Sequence, residues 1–481
     1  MLFNSVEFLI FLPIVFAMYW MLTKSKHQLR LQNTLLVVAS YLFYGWWDWR
    51  FLGLIAFSSF VDFFAGRAIE KAVSKSRAKL FLAISLVTNL GLLAYFKYAN
   101  FFIESWIEAW AGMGVEMHAS SLNIILPVGI SFYTFQTLSY SIDIYRGKLK
   151  PTRDPIAFAA FVSFFPQLVA GPIERASKLL PQIERSRTFD KDLAISGLRL
   201  ILWGMFKKVV VADTCARLAD KIFDAPELYS GPTLMLGVFY FAFQIYGDFS
   251  GYSDIAIGTG RLFGIRLSTN FKFPYFSRDI AEFWRRWHIS LSTWFRDYLY
   301  IPLGGSRGSQ WQVIRNVAVI FVVSGFWHGA NWTFVIWGAI HALLFVPLIL
   351  LKRNRKNASD VVAEGKFLPS IKDVFSMGST FALVCLAWVF FRADTVSEAI
   401  NYIVGFSELP TPDKPITLFV YTAFVWIGVM VLVDWLQRDG TIPRWWLNRN
   451  LQPLRWFTYG ICVWLCLKNL HSEASFIYFQ F

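Results

Sequence analysis

The chain has 481 residues, of which 56% are hydrophobic and 16% charged, and its mean hydropathy is +0.45. Several stretches contain the roughly 20 apolar residues that one membrane-spanning helix needs, so the composition excludes a soluble globular protein and indicates a polytopic membrane protein. The net charge of +14 comes from Lys and Arg in short clusters between apolar stretches, a pattern that reports membrane topology and predicts no nucleic-acid partner.

The apolar runs predict an all-α protein with roughly eleven to thirteen membrane-embedded helices, some too short to cross the bilayer. No internal repeat, low-complexity tract or flexible linker divides the sequence, so we expect a single integral domain over residues 1–481. The runs lie near 6–22, 31–47, 51–66, 80–98, 122–140, 155–171, 195–211, 232–247, 314–328, 332–351, 377–392, 417–435 and 455–470.

Three basic clusters predict the orientation in the membrane. They lie at 24–30, 67–79 and 352–356, and the positive-inside rule places them in the cytoplasm. The amino terminus is then external. The first apolar run has no preceding positive residue and no small-residue cleavage site, so we expect it to be retained as a span.

A histidine lies in the apolar stretch 313–345, where an ionisable side chain is costly unless it faces a cavity, a partner or water. This residue, His328, has the pKa range of a general base that removes a hydroxyl proton during attack on an acyl carbonyl. The alternative is a buried structural histidine with one hydrogen bond. On a continuous helix Asn331 would share the face of His328, whereas His341 would lie on the opposite face unless the helix breaks.

The segment 282–300 reads as an amphipathic helix that does not span the membrane. Its apolar stripe consists of Trp284, Trp287, Leu291, Trp294 and Tyr298. Arg285, Arg286 and Arg296 lie away from this stripe and would bind either lipid phosphates at the interface or the phosphates of a nucleotide-bearing donor. The same segment contains His288.

Polar residues also follow the apolar run at 232–247. Gln244 and Asp248 are four residues apart and precede the turn-prone Phe249-Ser250-Gly251, so they would line a polar passage or form a solvated helix end. The sequence contains no P-loop, no H-E-x-x-H and no G-x-S-x-G. Its four cysteines are too sparse for a metal site, so we expect no metal and no permanently bound cofactor.

Three long motifs carry a resemblance to a known family. They are QIYGDFSGYSDIAIGTGRLFGIRLSTNF (244–271), EFWRRWHISLSTWFRDYLYIPLGG (282–305) and FWHGANWTFVIWGAIHA (326–342). Together with supporting stretches at 125–147 and 164–182 they resemble the membrane-bound O-acyltransferase superfamily, within it the bacterial alginate O-acetylase-like branch.

This resemblance implies a ring of membrane helices around thinner re-entrant helices and a central funnel or tunnel, with the family core at about 120–392. It implies that His328 is catalytic and that His288 is a second functional histidine with a less settled role. Trp327, Asn331 and Asp248 would support them. It also implies a bacterial inner-membrane enzyme that takes an acyl group from a cytoplasmic donor such as acetyl-CoA.

The resemblance further implies a periplasmic acetyltransferase partner and a polysaccharide acceptor, with membrane lipids around the protein. Within the family the sequence does not select among alginate, peptidoglycan and other glycans. A different class also stays open, namely a transporter in which His328, His288 and Asp248 form a proton or solute pathway. A weaker alternative is a scaffold that anchors a polymer-modifying complex.

Overall fold

The computed structural model describes residues 1–117, 122, 124–169, 171–358, 361–408, 419–440, 446, 448–470 and 477. Throughout this described part the regular structure is helical, with no strand, which confirms the predicted all-α class. Two compact units are distinguished, one formed by Met1–Arg199 with Ala256–Ser268 and the other by Leu200–Ile255 with Thr269–Phe481.

The first unit contains the amino-terminal helices. They are α1 (Val6–Met21), α2 (Gln28–Asp48), α3 (Leu52–Lys71), α4 (Lys75–Leu93), α5 (Ala99–Ala111), α6 (Ile130–Tyr145), α7 (Pro155–Ser163), α8 (Phe165–Leu168), α9 (Ala176–Ile183) and the first part of α10 (Lys191–Met205). Their positions agree with the predicted apolar runs, except that α5 and α9 lie outside those runs. A buried carboxylate, Asp62 on α3, accepts hydrogen bonds from Ser85, Asn89 and Ser141 on α4 and α6.

The second unit contains most of the sequence motifs. Its helices are α11 (Asp213–Phe223), α12 (Gly231–Leu262, of which the last residues belong to the first unit), α13 (Ile280–Arg286), α14 (Ile289–Phe295), α15 (Gln310–His328), α16 (Trp332–Leu350), α17 (Ile371–Arg392), α18 (Val396–Val404), α19 (Phe419–Leu436) and α20 (Gln452–Lys468).

Membrane spans are found in both units. Five helical stretches of the described residues are long and apolar enough to cross a membrane, namely Val6–Lys24, Gln28–Lys71, Lys75–Ala111, Trp332–Leu350 and Ile371–Arg392. The second of these contains α2 and α3, between which the backbone at Asp48 turns extended. The chain is therefore a multi-pass membrane protein, as its composition predicts.

The predicted end of the helix at residue 247 is wrong, because α12 continues without a turn to Leu262. The acidic side chains of α12 pair with lysines inside the protein, so they do not require a solvated helix end. Asp248 forms an ion pair of 2.9 Å with Lys208, and Asp254 forms one of 2.6 Å with Lys207. Buried charges are tolerated when they are paired in this way.

The predicted continuous helix over 282–300 is also wrong. The segment forms α13, a sharp bend and α14, and the bend is at His288, whose backbone has the left-handed values φ 44° and ψ 53°. The amide of Ile289 donates to the carbonyl of Asn270 at 2.8 Å, so a bond from another segment satisfies the backbone at the break. The predicted apolar stripe is nevertheless buried at Trp284, Trp287, Leu291 and Trp294.

Candidate active site

His328 is the last residue of a helix that packs closely against its neighbour. Helices α15 and α16 run antiparallel, with Gly325 against the carbonyl of Phe334 and Gly338 against the carbonyl of Phe321. A β-carbon at either glycine would lie 2.1 or 2.2 Å from those oxygens, so any side chain would separate the helices. The close packing of the two helices holds the carboxyl end of α15, and with it His328, inside the second unit.

The His328 imidazole is buried among aromatic rings. The centroid of its ring lies 5.0 Å from that of Trp327, 5.2 Å from that of Trp337 and 5.5 Å from that of Phe391. All three rings are steeply inclined to the imidazole, and Trp337 and Phe391 come from α16 and α17. Such an enclosure limits water around a reacting group and strengthens electrostatic interactions within it.

The second histidine lies beside the first. The ring centroids of His288 and His328 are 6.2 Å apart, and His288 is fully buried at the bend between α13 and α14. Its ring contacts Phe249 edge-on at 4.6 Å, and Trp327 lies 6.1 Å away. Burial lowers the pKa of His288 to about 3, so the ring is neutral at physiological pH.

Asn270 determines which nitrogen of His288 carries the proton. The Oδ1 atom of Asn270 accepts from the Ser290 amide at 3.2 Å and from the Ser290 hydroxyl at 2.8 Å, and its amide group donates to Ser253. A backbone amide is only a donor, so the atom facing it is the oxygen. His288 Nδ1 lies 3.1 Å from that oxygen and therefore donates to it, which leaves Nε2 as the acceptor nitrogen.

This pair of rings has the composition of an acid-base site. A neutral imidazole accepts the proton of an attacking hydroxyl and then returns it to a leaving group. The neutral His288, with its tautomer fixed, offers one acceptor nitrogen for orienting a hydroxyl or a second ring. No metal-binding group of three or more His, Cys, Asp or Glu side chains occurs in the part of the chain described.

His341 joins the site through the helix break after His328. Because α15 ends there and α16 turns back, the ring of His341 lies 4.9 Å from that of Trp337, which also lies 5.2 Å from the ring of His328. Trp284 Nε1 donates to His341 Nδ1 at 3.2 Å. An unbroken aromatic column thus runs from α13 through α16 to His328.

The predicted supporting residues have different places. Trp327 contacts both catalytic candidates. Asn331 does not share a helix face with His328, because the backbone at Gly329 is extended and Asn331 caps α16, accepting from Thr333 at 3.0 Å. Asp248 bonds to Lys208 and to the Ile477 amide, so its carboxylate serves a buried ion-pair network.

The three arginines predicted to bind a donor lie along one end of the second unit. Arg286 pairs with Glu282 at 2.8 Å, and Arg296 pairs with Asp297 at 2.7 Å. Arg285 donates to the carbonyl of Asn354 at 3.0 Å, and among the described residues it has no carboxylate within salt-bridge distance. Arg355, beyond α16, donates to Ser306, before α15, so further cations share this end.

Sequence reasoning missed Asn270, Trp337 and Phe391. Asn270 lies in a stretch of the motif without helical periodicity, and its function depends on a long-range bond to the bend at His288. Trp337 and Phe391 lie on apolar spans where an aromatic residue is ordinary. The partly polar sequence S-T-N-F before the basic segment was a signal for Asn270, but it did not indicate a partner.

Comparison with known proteins identifies the family of the chain. The sequence model of the membrane-bound O-acyltransferase family matches residues 149–362, which include both histidines. A probable alginate O-acetylase of Azotobacter vinelandii is 43% identical over 401 residues, which are 83% of this chain and 76% of the relative. A peptidoglycan O-acetyltransferase of Helicobacter pylori is 36% identical over 84% of this chain and 79% of its own length.

A more distant relative is a teichoic acid D-alanyltransferase of Streptococcus thermophilus, which is 32% identical over 55% of this chain and 68% of its own length. The family model, the relatives and the apolar helices together define a multi-pass membrane enzyme of the acyltransferase class. The chain belongs to the membrane-bound O-acyltransferase family, and it is an O-acyltransferase.

Proposed function

We propose that this enzyme moves acetyl groups from a cytoplasmic donor, acetyl-CoA, across the bacterial inner membrane for O-acetylation of an exopolysaccharide, alginate in the first instance. A periplasmic acetyltransferase completes the modification of the polymer. The observation that carries the proposal is the buried pair His288 and His328, with ring centroids 6.2 Å apart in an aromatic enclosure.

His328 acts as the general base in this proposal. Its imidazole takes the proton of the acceptor hydroxyl while the oxygen attacks the thioester carbonyl of the donor. The tetrahedral intermediate then expels the thiolate, which receives the same proton and leaves as free CoA. His288, whose Nε2 is an acceptor, orients the attacking hydroxyl or the His328 ring.

The donor enters from the basic end of the second unit. The positive-inside rule places this end in the cytoplasm, since it includes the cluster at 352–356. Arg285, Arg286 and Arg296 steer the donor phosphates there, and Arg285 is the one that no carboxylate neutralises in the described structure. The aromatic column leads from this end toward His328.

Alginate is the first acceptor to test, because several probable alginate O-acetylases are 39–43% identical to this chain. Peptidoglycan is the second, because the peptidoglycan relative is 36% identical over a similar share of the chain. Both polymers require the same transfer from a thioester to a hydroxyl, so the site chemistry is common to them.

Acetyl transfer in membranes tests the proposal. Membranes containing the wild type, His328→Ala or the exposed-site control His27→Ala receive acetyl-labelled acetyl-CoA, and free CoA and labelled partner or polymer are measured. We expect His328→Ala to lower transfer by about 10²–10⁴-fold, the usual contribution of a general base, at unchanged protein level. The His27→Ala protein should retain wild-type transfer.

Equal transfer by wild type and His328→Ala would overturn the assignment of His328. Proton flux in proteoliposomes without any acyl donor, abolished by the same substitution, would instead favour the transporter. A His288, His328 double variant that still supports polymer acetylation in cells would favour a scaffold.

A further inference from the structure

Two buried ring nitrogens on one face of α16 have no hydrogen-bond partner among the described residues. They are Nε1 of Trp337 and Nε2 of His341, and the two residues are four apart, so they lie on the same side of the helix. Both side chains are fully buried. An unsatisfied polar group in the interior costs free energy, so two of them side by side indicate a function.

The hydrogen bond from Trp284 shows that Nε2 of His341 carries a hydrogen. Trp284 Nε1 donates to His341 Nδ1 at 3.2 Å, and an indole nitrogen is only a donor. Nδ1 is therefore the acceptor nitrogen, so the ring is neutral and its hydrogen is on Nε2. The indole nitrogen of Trp337 always carries one. Both nitrogens are thus donors, and a ligand that satisfies them must present an acceptor atom.

These donors lie beside the general base. The ring centroid of Trp337 is 5.2 Å from that of His328 and 4.9 Å from that of His341, and the rings are inclined at 88° and 76°. A general base works within about 2.6–3.2 Å of the attacking hydroxyl, and an oxyanion donor works within about 2.7–3.1 Å of the carbonyl oxygen. Neighbouring rings at this separation can meet both requirements on one carbonyl group.

The donors are also held in fixed positions. Gly338 follows Trp337 directly and packs against the carbonyl of Phe321 on α15, where a β-carbon would lie 2.2 Å from that oxygen. The bond from Trp284 fixes the ring of His341. Fixed donors in a water-poor enclosure stabilise a developing negative charge more than donors in water do.

His288 cannot supply such a donor. Its Nδ1 donates to Asn270, so its Nε2 has no hydrogen to offer to a carbonyl oxygen. The negative charge that develops on the thioester oxygen therefore needs a different partner, and the two donors of α16 have the required chemistry.

We propose that the Nε1–H of Trp337 and the Nε2–H of His341 bind the carbonyl oxygen of the donor thioester. When the acceptor oxygen adds to the carbonyl carbon, one electron pair of the C=O double bond moves onto this oxygen, and the two N–H groups stabilise its charge. The double bond re-forms as the C–S bond breaks, and the thiolate takes the proton that His328 removed from the hydroxyl. This inference rests on the proposed acetyl transfer and adds two catalytic residues to it.

The test measures binding of two unreactive analogues of acetyl-CoA to the full-length enzyme in nanodiscs. Acetonyl-dethio-CoA keeps the carbonyl oxygen and has a methylene group in place of the sulfur, whereas S-ethyl-CoA has no carbonyl oxygen. Trp337→Phe removes the indole N–H. The control is Trp20→Phe in the first unit, where the indole donates to the carbonyl of Leu262 at 3.0 Å. Calorimetry gives the Kd of each analogue, and acetyl transfer gives kcat.

We expect Trp337→Phe to raise the Kd of the ketone about 2- to 12-fold relative to that of S-ethyl-CoA, the effect of one hydrogen bond to a neutral acceptor. Lost packing would weaken both analogues alike, so the ratio of the two Kd values reports the N–H group alone. The kcat should fall about 10²–10³-fold, as on removal of one oxyanion donor. Trp20→Phe should leave the ratio and kcat unchanged.

Two variants of His341 separate the roles of its nitrogens. His341→Asn keeps an acceptor near the position of Nδ1 for Trp284 but has no donor at the position of Nε2, whereas the longer amide of His341→Gln reaches that position. Both kcat and the preference for the ketone should fall in His341→Asn and be largely retained in His341→Gln. If Trp337→Phe does not fold, 3-benzothienylalanine at position 337 gives the same comparison, since it keeps the bicyclic ring and replaces the N–H by sulfur.

An equal loss of affinity for both analogues in Trp337→Phe would overturn the inference and leave the proposed function intact. The same conclusion would follow if the wild type bound the two analogues equally, or if His341→Asn kept the wild-type kcat and ketone preference. Absence of acetyl transfer from acetyl-CoA by the wild type, in membranes that contain the native partner, would overturn the proposed function itself.

Discussion

The side-chain oxygen of Asn270 lies 3.1 Å from Nδ1 of His288 and accepts a hydrogen bond from that nitrogen. The same oxygen accepts from the Ser290 amide and hydroxyl, so its orientation is fixed by a backbone donor. Asn270 therefore acts through His288, as a positioning residue that selects the tautomer with Nε2 as acceptor. Outer partners of this kind typically matter to function almost as much as the residues they hold.

Replacement of Asn270 by Asp should change the pH dependence of the enzyme. A carboxylate beside Nδ1 favours the protonated imidazole, so the pKa of His288 should rise from about 3 toward neutrality. Activity of Asn270→Asp should then fall as the pH is lowered from 8 to 6, whereas His288 should impose no such loss on the wild type. The measurement is the pH profile of kcat for acetyl transfer.

Asn270→Ala is the companion variant, because it removes the acceptor without adding charge. It should lower kcat about tenfold or more at every pH, with little change in the KM for acetyl-CoA. Parallel pH profiles for the wild type and Asn270→Asp would show that Asn270 does not control the state of His288.

The close packing of α15 and α16 gives a second prediction. In Gly325→Ala the new methyl group would lie 2.1 Å from the Phe334 carbonyl, so the helices must separate. We expect the free energy of unfolding to fall by about 1–3 kcal/mol, as at other overpacked sites. Acetyl transfer should fall by more than this loss of stability explains, because His328 is the last residue of the displaced helix. Thermal unfolding of the purified protein and acetyl transfer provide the two readouts.

Gly378→Ala on α17 is the matched control for Gly325→Ala. No atom lies within 4 Å of a β-carbon built at Gly378, and alanine favours helix over glycine. Its melting temperature should equal or exceed that of the wild type. If both alanine variants have the melting temperature of the wild type, the close packing of α15 against α16 is not needed for stability.

Much of the fold follows from the sequence because hydrophobic period and length govern membrane helices. The apolar runs at 314–328 and 332–351 correspond to α15 and α16, and the predicted apolar stripe is buried at Trp284. The bend at His288 could not be predicted, because the backbone amide that follows it donates to the carbonyl of Asn270, which lies in another segment. The continuity of α12 through Asp248 depends likewise on a partner, Lys208, that no local pattern identifies.

The Lys208 network gives a third prediction, which separates stability from catalysis. Lys208 is buried between Asp213 at 2.8 Å and Asp248 at 2.9 Å. Lys208→Met would leave two buried carboxylates without this cation, and removing one partner of a buried pair costs about 3–5 kcal/mol. We expect a large drop in melting temperature and in membrane yield, compared with the exposed control Lys221→Met.

Asp248→Asn tests whether Asp248 has a catalytic role as well. The asparagine side chain keeps the shape of the aspartate, and its oxygen can accept from the backbone amide of Ile477. The protein that folds should therefore have the wild-type kcat. A fall in kcat by two orders of magnitude at normal stability would return Asp248 to the active site.

The arginines proposed to steer the donor give a fourth prediction, because they differ in their partners. Arg285→Gln should raise the KM for acetyl-CoA about tenfold, the effect of losing one charge-assisted bond of roughly 1.5 kcal/mol, and leave kcat nearly unchanged. Arg296→Gln should have a smaller effect, since Arg296 is exposed and already paired with Asp297. An effect of Arg296→Gln that exceeds that of Arg285→Gln would reverse the proposed order.

Burial of His288 also predicts how stability depends on pH. The unfolded chain binds a proton on this residue near pH 6.5, whereas the folded protein binds it only near pH 3. Between these values the unfolded state carries more protons, so acidification favours unfolding, and His288 contributes stability above pH 6.5 that is lost as the pH falls. The loss from pH 7.5 to 5.5 should be about 1 kcal/mol from this residue alone.

His288→Asn isolates that contribution, because asparagine tolerates the left-handed backbone at this position and does not titrate. The melting temperature of the wild type should fall more between pH 7.5 and 5.5 than that of the variant. His328 and all carboxylates are present in both proteins, so their titration cancels in the comparison. If the melting temperatures of the two proteins fall equally, His288 binds its proton as readily in the folded protein as in the unfolded chain. That result would contradict the effect expected from its enclosure by Phe249, Phe271 and Trp327.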